Sequence, residues 1–301
     1  MRRHTMKNLR RVLAILLLTA MSVMTLAACG KSAGAGSGDA AVANGDAANE
    51  AAGEADETAT GGDLLFEIQG RGRLIIAMEG QWAPWTYHDE NGKLVGFDTE
   101  VGEAIAEKLG VEAEFVEGEW DGLFTGMDGG RYDVIINGVE ITDERKEKYD
   151  FSTPYAYIKT ALVVAEDNTD ITSFEDLKGK KTSNSLGSTY ADMAAEYGAE
   201  VANVDTLSET IDMVLSGRAD ATLNAEVSFY DYLKEHPDAP IKIVALTDEA
   251  SEVSIPMRKS QAGDDTASLR AAIDKAIKEL AEEGKLAELS EKYFGSDITK
   301  K

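Results

Sequence analysis

The chain has 301 residues, with 30 Lys and Arg against 55 Asp and Glu, three His and a single Cys, for a formal net charge of −25. One cysteine cannot build a disulfide framework, a CxxC pair or a thiolate zinc site, and His4, His88 and His236 match no metal-ligand spacing. The surplus of acid argues against a phosphate-binding surface and hence against nucleic acid, no metal or cofactor is expected, and 43% apolar residues over this length support a sizeable core.

Arg2, Arg3, Lys7, Arg10 and Arg11 precede an apolar and small-residue run from Val12 to Ala28, the layout of a secretory signal. The run is short of the roughly 20 residues that span a bilayer. It ends in Leu26-Ala27-Ala28-Cys29, which resembles the bacterial lipobox, whose cysteine becomes the lipid-modified first residue of the mature chain. Residues 1–28 are therefore expected to be a lipoprotein signal and Cys29 the lipidation site, with the remainder extracytoplasmic and lipid-anchored to the outer face of the cell membrane. From Gly30 to Asp63 the chain is Ala, Gly and acid, with Val42 the one sizeable apolar residue. Such a stretch cannot offset its chain entropy, and residues 29–63 read as a disordered tether reaching about 32 Å.

Beyond Asp63, short β runs alternate with amphipathic helices. Strands are expected at Arg73 to Met78, 113–117, Asp133 to Ile136, Ala161 to Ala165, Lys181 to Asn184, Ala221 to Asn224 and Ile241 to Val244. Helices are expected at Thr99 to Leu109, Ser173 to Lys178, Thr189 to Tyr197, Leu207 to Leu215, Glu226 to Lys234, Ser268 to Glu283 and Lys285 to Tyr293. Asp89-Glu90-Asn91-Gly92 reads as a hairpin turn rather than a calcium loop. This alternation implies an α/β fold, with ligands met beyond the carboxyl ends of the strands.

Trp82 and Trp85 follow the first strand and Trp120 the second, as aromatics at strand ends that line a cleft would. The run from Asn137 to Arg145 passes from a strand end through a glycine turn to a Thr-capped helix, where orphan N–H groups and an Arg fork make a carboxylate cradle. On spacing alone, Arg145 reads better as a surface charge in DERKEKYD. Ser185-Leu186-Gly187-Ser188-Thr189 is a second glycine turn feeding a helix.

The strings EGQWAPWTYHDENGKLVGFDTEV, NGVEITDERKEKYDFSTPY, DLKGKK, GRADATLNA and LSEKYFGSDITK, in this order along residues 64–301, resemble solute-binding proteins of amino-acid ABC importers, solute-binding family 3, with motifs most like its cystine-binding members. The resemblance implies a two-lobed, periplasmic-binding-protein-like flytrap. Lobe 1 would span about 64–157 plus 253–301 and lobe 2 about 158–252, with two crossing strands as hinge. It implies a monomer that captures an amino acid and delivers it to permease subunits, with a lipid anchor holding it to the membrane and no catalysis. Arg145 would grip the α-carboxylate with help from Thr189. Trp82 and Trp120 would sandwich the ligand side chain, Glu79 would reach a polar tip, and backbone groups of Asn137 and Gly138 would take part of the α-ammonium. Ser185, Ser188 and Asn224 complete the expected cleft.

Two departures stand out: the family's Asp for the α-ammonium falls on Ala225, and a usual hydroxyl position is Glu140. A desolvated ammonium needs a carboxylate, so Glu140 or Glu226 is expected to replace the missing Asp. With Arg145 as the cation among these residues, the cleft favours a zwitterion or cation, such as cystine or another polar or basic amino acid, over glutamate and aspartate. The competing readings are a dehydratase-like enzyme using Glu140 or Glu226 as acid, and a ligand sensor.

Overall fold

The structure, a computed structural model, describes residues 62–301 apart from 262; the expected signal, Cys29 and the tether up to residue 61 lie outside the described residues. In chain order the first elements are α1 (Leu64–Arg71), β1 (Arg73–Met78), β2 (Gln81–Trp82), β3 (Thr86–His88), β4 (Leu94–Val95), α2 (Phe97–Leu109), β5 (Glu112–Glu117) and α3 (Trp120–Asp128). They continue through β6 (Val134–Ile135), α4 (Asp143–Lys148), β7 (Tyr149–Phe151), β8 (Ala156–Ile158), β9 (Thr160–Ala165), a 3₁₀ turn at Phe174–Leu177, β10 (Lys181–Asn184), α5 (Thr189–Glu196), β11 (Glu200–Asn203) and α6 (Leu207–Leu215). The last are β12 (Ala221–Ala225), α7 (Glu226–Glu235), β13 (Ile241–Leu246), β14 (Ser251–Val253), β15 (Pro256–Arg258), α8 (Ala267–Glu282) and α9 (Lys285–Phe294).

Two five-stranded sheets form the two lobes, in orders β5-β1-β6-β15-β7 and β11-β10-β12-β9-β13. In each, three neighbouring strands pair in parallel and the other pairings are antiparallel, so that only β15 in the first sheet and β9 in the second run against the rest. Both faces of each sheet are covered, as the period-2 alternation of strand side chains requires. Leu74, Ile76 and Met78 of β1 join one cluster while Ala77 joins another with Leu123 and Ile135. Likewise Leu162 and Val164 of β9 face one way, and Ala161 and Val163 pack with Ile211 and Phe229 on the other.

Local chemistry sets the element ends. Gly110, at φ 75°, closes α2 with its N–H on the Ala106 and Glu107 carbonyls, and a Thr206–Glu209 capping box starts α6. The helix expected at Ser173 to Lys178 is a four-residue 3₁₀ turn. Lys178 leaves helical dihedrals and Gly179, at φ 73°, turns the chain away before a second turn can form. The strand expected at Asp133 to Ile136 shortens to Val134–Ile135, and the Asp133 carboxylate accepts from the Ile75 N–H at 2.8 Å and from Arg71. Asp89 to Gly92 does turn the chain from β3 into β4, with the Asp89 side chain accepting from the Asn91 and Lys93 N–H groups.

The chain crosses between the sheets at β8 and β14, which pair antiparallel with Ser251 opposite Ile158 and Val253 opposite Ala156. Beside this crossing, Glu226 at the start of α7 clasps Lys159: the Lys159 N–H donates to the Glu226 carboxylate at 2.7 Å and the Glu226 N–H to the Lys159 carbonyl at 3.0 Å. Among the described residues no helix is long and apolar enough to cross a membrane.

Candidate functional site

The carboxyl ends of the central parallel strands of both sheets converge on one cleft lined from both lobes. In lobe 1 these are the ends of β1 and β6, which carry Glu79, Trp82, Asn137 and Gly138; in lobe 2 they are the ends of β10 and β12, which carry Asn184, Ser185 and Asn224. This is the placement expected of α/β sheets at a switch in strand order.

Glu79 and Asn137 hold each other. The Glu79 N–H donates to Asn137 Oδ1 at 2.8 Å, and Asn137 Nδ2 donates to the Glu79 carboxylate at 2.6 Å. Burial of the carboxyl pushes its pKa up to about 7 despite that bond. Gly138 sits at φ +57°, where a Cβ would lie 2.5 Å from Trp82 Cζ3, so only glycine leaves the indole in place. Its N–H is committed below the cleft to Asp98 at 2.5 Å, and Asp98 also accepts from the Tyr155 hydroxyl at 2.8 Å. Asp98 is fully buried, and desolvation raises its pKa to about 7 against both bonds. Trp82 stacks on Trp85 with centroids 5.2 Å apart; Trp82 lines the cleft, whereas Trp85 is wholly buried in the core between Phe97 and Phe294.

Glu140 lies on a short bridge to β14 at the crossing, held by the Ser254 N–H to the Val139 carbonyl and the Ile141 N–H to the Glu252 carbonyl, both 2.9 Å. The Thr142 hydroxyl accepts from the Arg145 N–H at 3.1 Å, starting α4. Asp143, Glu144, Lys146, Glu147 and Lys148 around it are exposed, but the Arg145 side chain turns inward. The guanidinium lies 5.3 Å from the Trp120 ring centroid and 5.5 Å from that of Phe124, the geometry of cation–π contacts. Nη1 donates to the Glu140 carbonyl at 2.9 Å and Nη2 to the Gly187 carbonyl of the opposite lobe at 3.0 Å. Desolvation lowers the Arg145 pKa from its ordinary value, while Glu140 and Asp192 pull it back. The surface-charge reading of Arg145 therefore fails.

From lobe 2, the Thr189 hydroxyl donates across the cleft to the Glu140 carboxylate. The Ser188 hydroxyl is used locally, donating to the Ser185 carbonyl at 2.6 Å and accepting from the Ala191 N–H at 3.1 Å as the α5 cap. Asn224 lines the cleft with its Oδ1 on the Ala225 N–H at 2.8 Å. The exception among the expected residues is Glu226, which is not part of the cleft wall because its carboxylate is drawn to the Lys159 N–H at the crossing. Of the two candidates for the missing Asp, Glu140 is the one that faces the cleft.

Several wall residues were not anticipated: Asn184, Tyr190, Asp205, Leu207 and Thr210. Asn184 was detectable as the last residue of a recognisable strand, but the others belong to helix starts whose direction depends on packing. Three buried polar atoms of this wall, Trp82 Nε1, Asn184 Oδ1 and the Tyr190 hydroxyl, have no hydrogen-bond partner. The Ala225 N–H near Tyr190 is taken by Asn224, and burial with Glu140 and Glu226 nearby keeps the phenol protonated. Orphaned groups of this kind are rare in protein interiors.

Comparison with known proteins places the chain. The description "bacterial extracellular solute-binding proteins, family 3" matches residues 74–296. The chain belongs to this family. It is 36% identical over 238 residues to a probable amino-acid ABC transporter-binding protein of Haemophilus influenzae, covering 79% of this chain and 91% of the relative. It is 37% identical over 245 residues to the L-cystine-binding protein TcyA of Bacillus subtilis, covering 81% and 89%. Among solved structures, an ancestral arginine-binding protein bound to arginine gives a TM-score of 0.69 at 39% identity, covering 75% of this chain and 99% of that one. The L-cystine receptor of Neisseria gonorrhoeae, unliganded and open, gives 0.53 at 40% identity, covering 79% and 99%. At near-equal identity this family member thus superimposes better on a liganded relative than on an open one, as expected of lobes joined by Arg145–Gly187 and Thr189–Glu140 bonds.

Proposed function

We propose that this protein is the extracytoplasmic capture component of an amino-acid ABC importer, closing its lobes on an α-amino acid and delivering it to permease subunits. The observation that carries this reading is the pairing of one fixed cation with one fixed carboxylate in a cleft both lobes touch. Arg145 and Glu140 adjoin each other, and each also bonds to lobe 2. A zwitterion's carboxylate suits the Arg fork, backed by Thr189, and its ammonium suits Glu140 with the Asn137 and Gly138 carbonyls. Trp82 and Trp120 supply the aromatic walls for the side chain. In this reading Glu140 substitutes for the family Asp replaced by Ala225, and binding rather than turnover is the whole activity. Cystine and other polar or basic amino acids are the preferred ligands, because the wall adds Glu79 and Asp205 to Glu140 and, among the described residues, has Arg145 as its sole cation.

Tryptophan fluorescence of the ligand-stripped protein, titrated with cystine, Arg, Lys, His, Gln, Glu and Ser, tests the proposal. A saturable change with a member of this panel is expected, since Trp82 and Trp120 line the cleft. A folded protein silent toward all seven would overturn it. The anchor is proposed with the function: a Cys29→Ser chain is expected to move from the membrane fraction to the soluble extracytoplasmic fraction, and unchanged membrane association would remove Cys29 from the account.

A further inference from the structure

Resting on the amino-acid reading above, we infer that the β10–α6 face of the cleft, formed by Asn184, Asp205 and Thr210, is a subsite for a protonated nitrogen carried by the ligand's side chain. The argument starts with Asn184, which is 1% exposed and lines the cleft at the carboxyl end of β10. Its Nδ2 donates to the Leu223 carbonyl at 2.7 Å. That bond fixes the amide, because a flip would set oxygen against oxygen. The other end, Oδ1, is buried without a partner and can only accept. Thr210, 2% exposed, gives its hydroxyl proton to the Leu207 carbonyl at 2.8 Å, leaving its oxygen as an acceptor too. Asp205 adds a carboxylate and Leu207 an apolar wall for a methylene stem. Lobe 1 contributes Glu79 to the same cleft.

An all-acceptor surface leaves an apolar or acceptor-ended side chain with unpaired groups, and its negative charge favours a charged donor over a neutral one. A terminal ammonium or guanidinium satisfies it. Two ligand chemistries carry such a nitrogen: a basic amino acid, and a diamino diacid such as cystine, whose second ammonium would take the acceptors while its second carboxylate met a donor such as Trp82 Nε1.

Calorimetric titration of the ligand-stripped full chain with lysine, arginine, cystine and the neutral isosteres norleucine and citrulline tests the subsite. Lysine or arginine, or cystine, is expected to bind at least about 30-fold more tightly than both neutral isosteres, as hydrogen bonds to a charged group imply. Tighter lysine and arginine identify the basic class; tighter cystine identifies the diamino diacid. In Thr210→Val and Asp205→Asn, the affinity ratio of the preferred charged ligand to norleucine is expected to fall about tenfold. Neutral isosteres that bind as well as the charged ligands would overturn the subsite while leaving amino-acid binding intact. So would an Asn184→Leu or Thr210→Val change that weakens every ligand equally, since the acceptors would then serve the common α-ammonium. Failure of every amino acid to bind would remove both readings together.

Discussion

Arg145→Ala is expected to weaken amino-acid binding by at least about 100-fold. Truncating one member of a desolvated, hydrogen-bonded charge pair costs about 2–5 kcal/mol, much of it from the partner left behind. Here the partner is the α-carboxylate of the proposed ligand; Arg145 itself is held by the Glu140 main-chain carbonyl, and the Glu140 carboxylate receives the Thr189 hydroxyl from the other lobe. The same truncation removes the Arg145–Gly187 bond that joins the lobes and empties the space over Trp120 and Phe124. Arg145→Lys keeps a charge but loses the planar fork and its stacking, so it should fall between the two. Calorimetry on the three proteins decides: Arg145→Ala affinity within threefold of wild type would show that the α-carboxylate is held elsewhere.

The ligand-free protein is expected to melt at a higher temperature at pH 5 than at pH 7.5. Glu79, Asp98 and Glu226 each have a pKa raised to about 7 by burial, against ordinary values near 4 in an unfolded chain. Between about pH 4.5 and 7 the folded state holds these protons and the unfolded state does not. Stability therefore falls as pH rises, by at most about 1.4 kcal/mol per pH unit for each group, and is lost above the folded pKa values. Asp98, fully buried, contributes most; Glu79 and Glu226 retain some accessible surface and contribute less. Below pH 4.5 the trend reverses, because Glu100, Asp176 and Asp297, whose pKa values are lowered, lose their bonds on protonation. The expected difference is several degrees for a domain of this size. Glu79→Gln, which keeps an acceptor for Asn137 and cannot ionise, should make the pH 5 to 7.5 slope shallower, separating this effect from relief of the general negative charge. A melting temperature that stays flat or rises across that interval would contradict the account.

Much of the scaffold was legible because it rests on local rules. RLIIAM, KTSN and Leu207–Leu215 form the expected elements with their expected bounds, since apolar period and caps act within a few residues. The cleft was legible at the level of strand ends, because topology alone sends Glu79, Asn137, Ser185 and Asn224 there. Contacts between the lobes were not. Whether Glu140 or Glu226 faces the cleft depends on a bridge between residues 140 and 253 in one case and a clasp to Lys159 in the other. Trp82 and Trp85 are three residues apart and stacked, yet only the first reaches the cleft, because Trp85 is enclosed by Phe97 and Phe294 from distant parts of the chain. Tyr190 and Thr210 give no signal in sequence, as each looks like an ordinary residue in a helix's first turns.

The pairing of Ser251 with Ile158 has a consequence for how the molecule is assembled. All five strands of the second sheet lie between residues 160 and 246, and their segment leaves and returns through adjacent strands, so it is an insertion with its own complete sheet. The first sheet is interrupted by that insertion and is finished by β15, which lies between β6 and β7. A ribosome or translocon releasing the chain from its amino end thus frees the inserted half as a foldable whole while the flanking half still lacks an interior strand. The half that carries Arg145 and Glu140 has to wait for residues 256–258, so the cleft cannot be completed until the chain beyond the insertion is released.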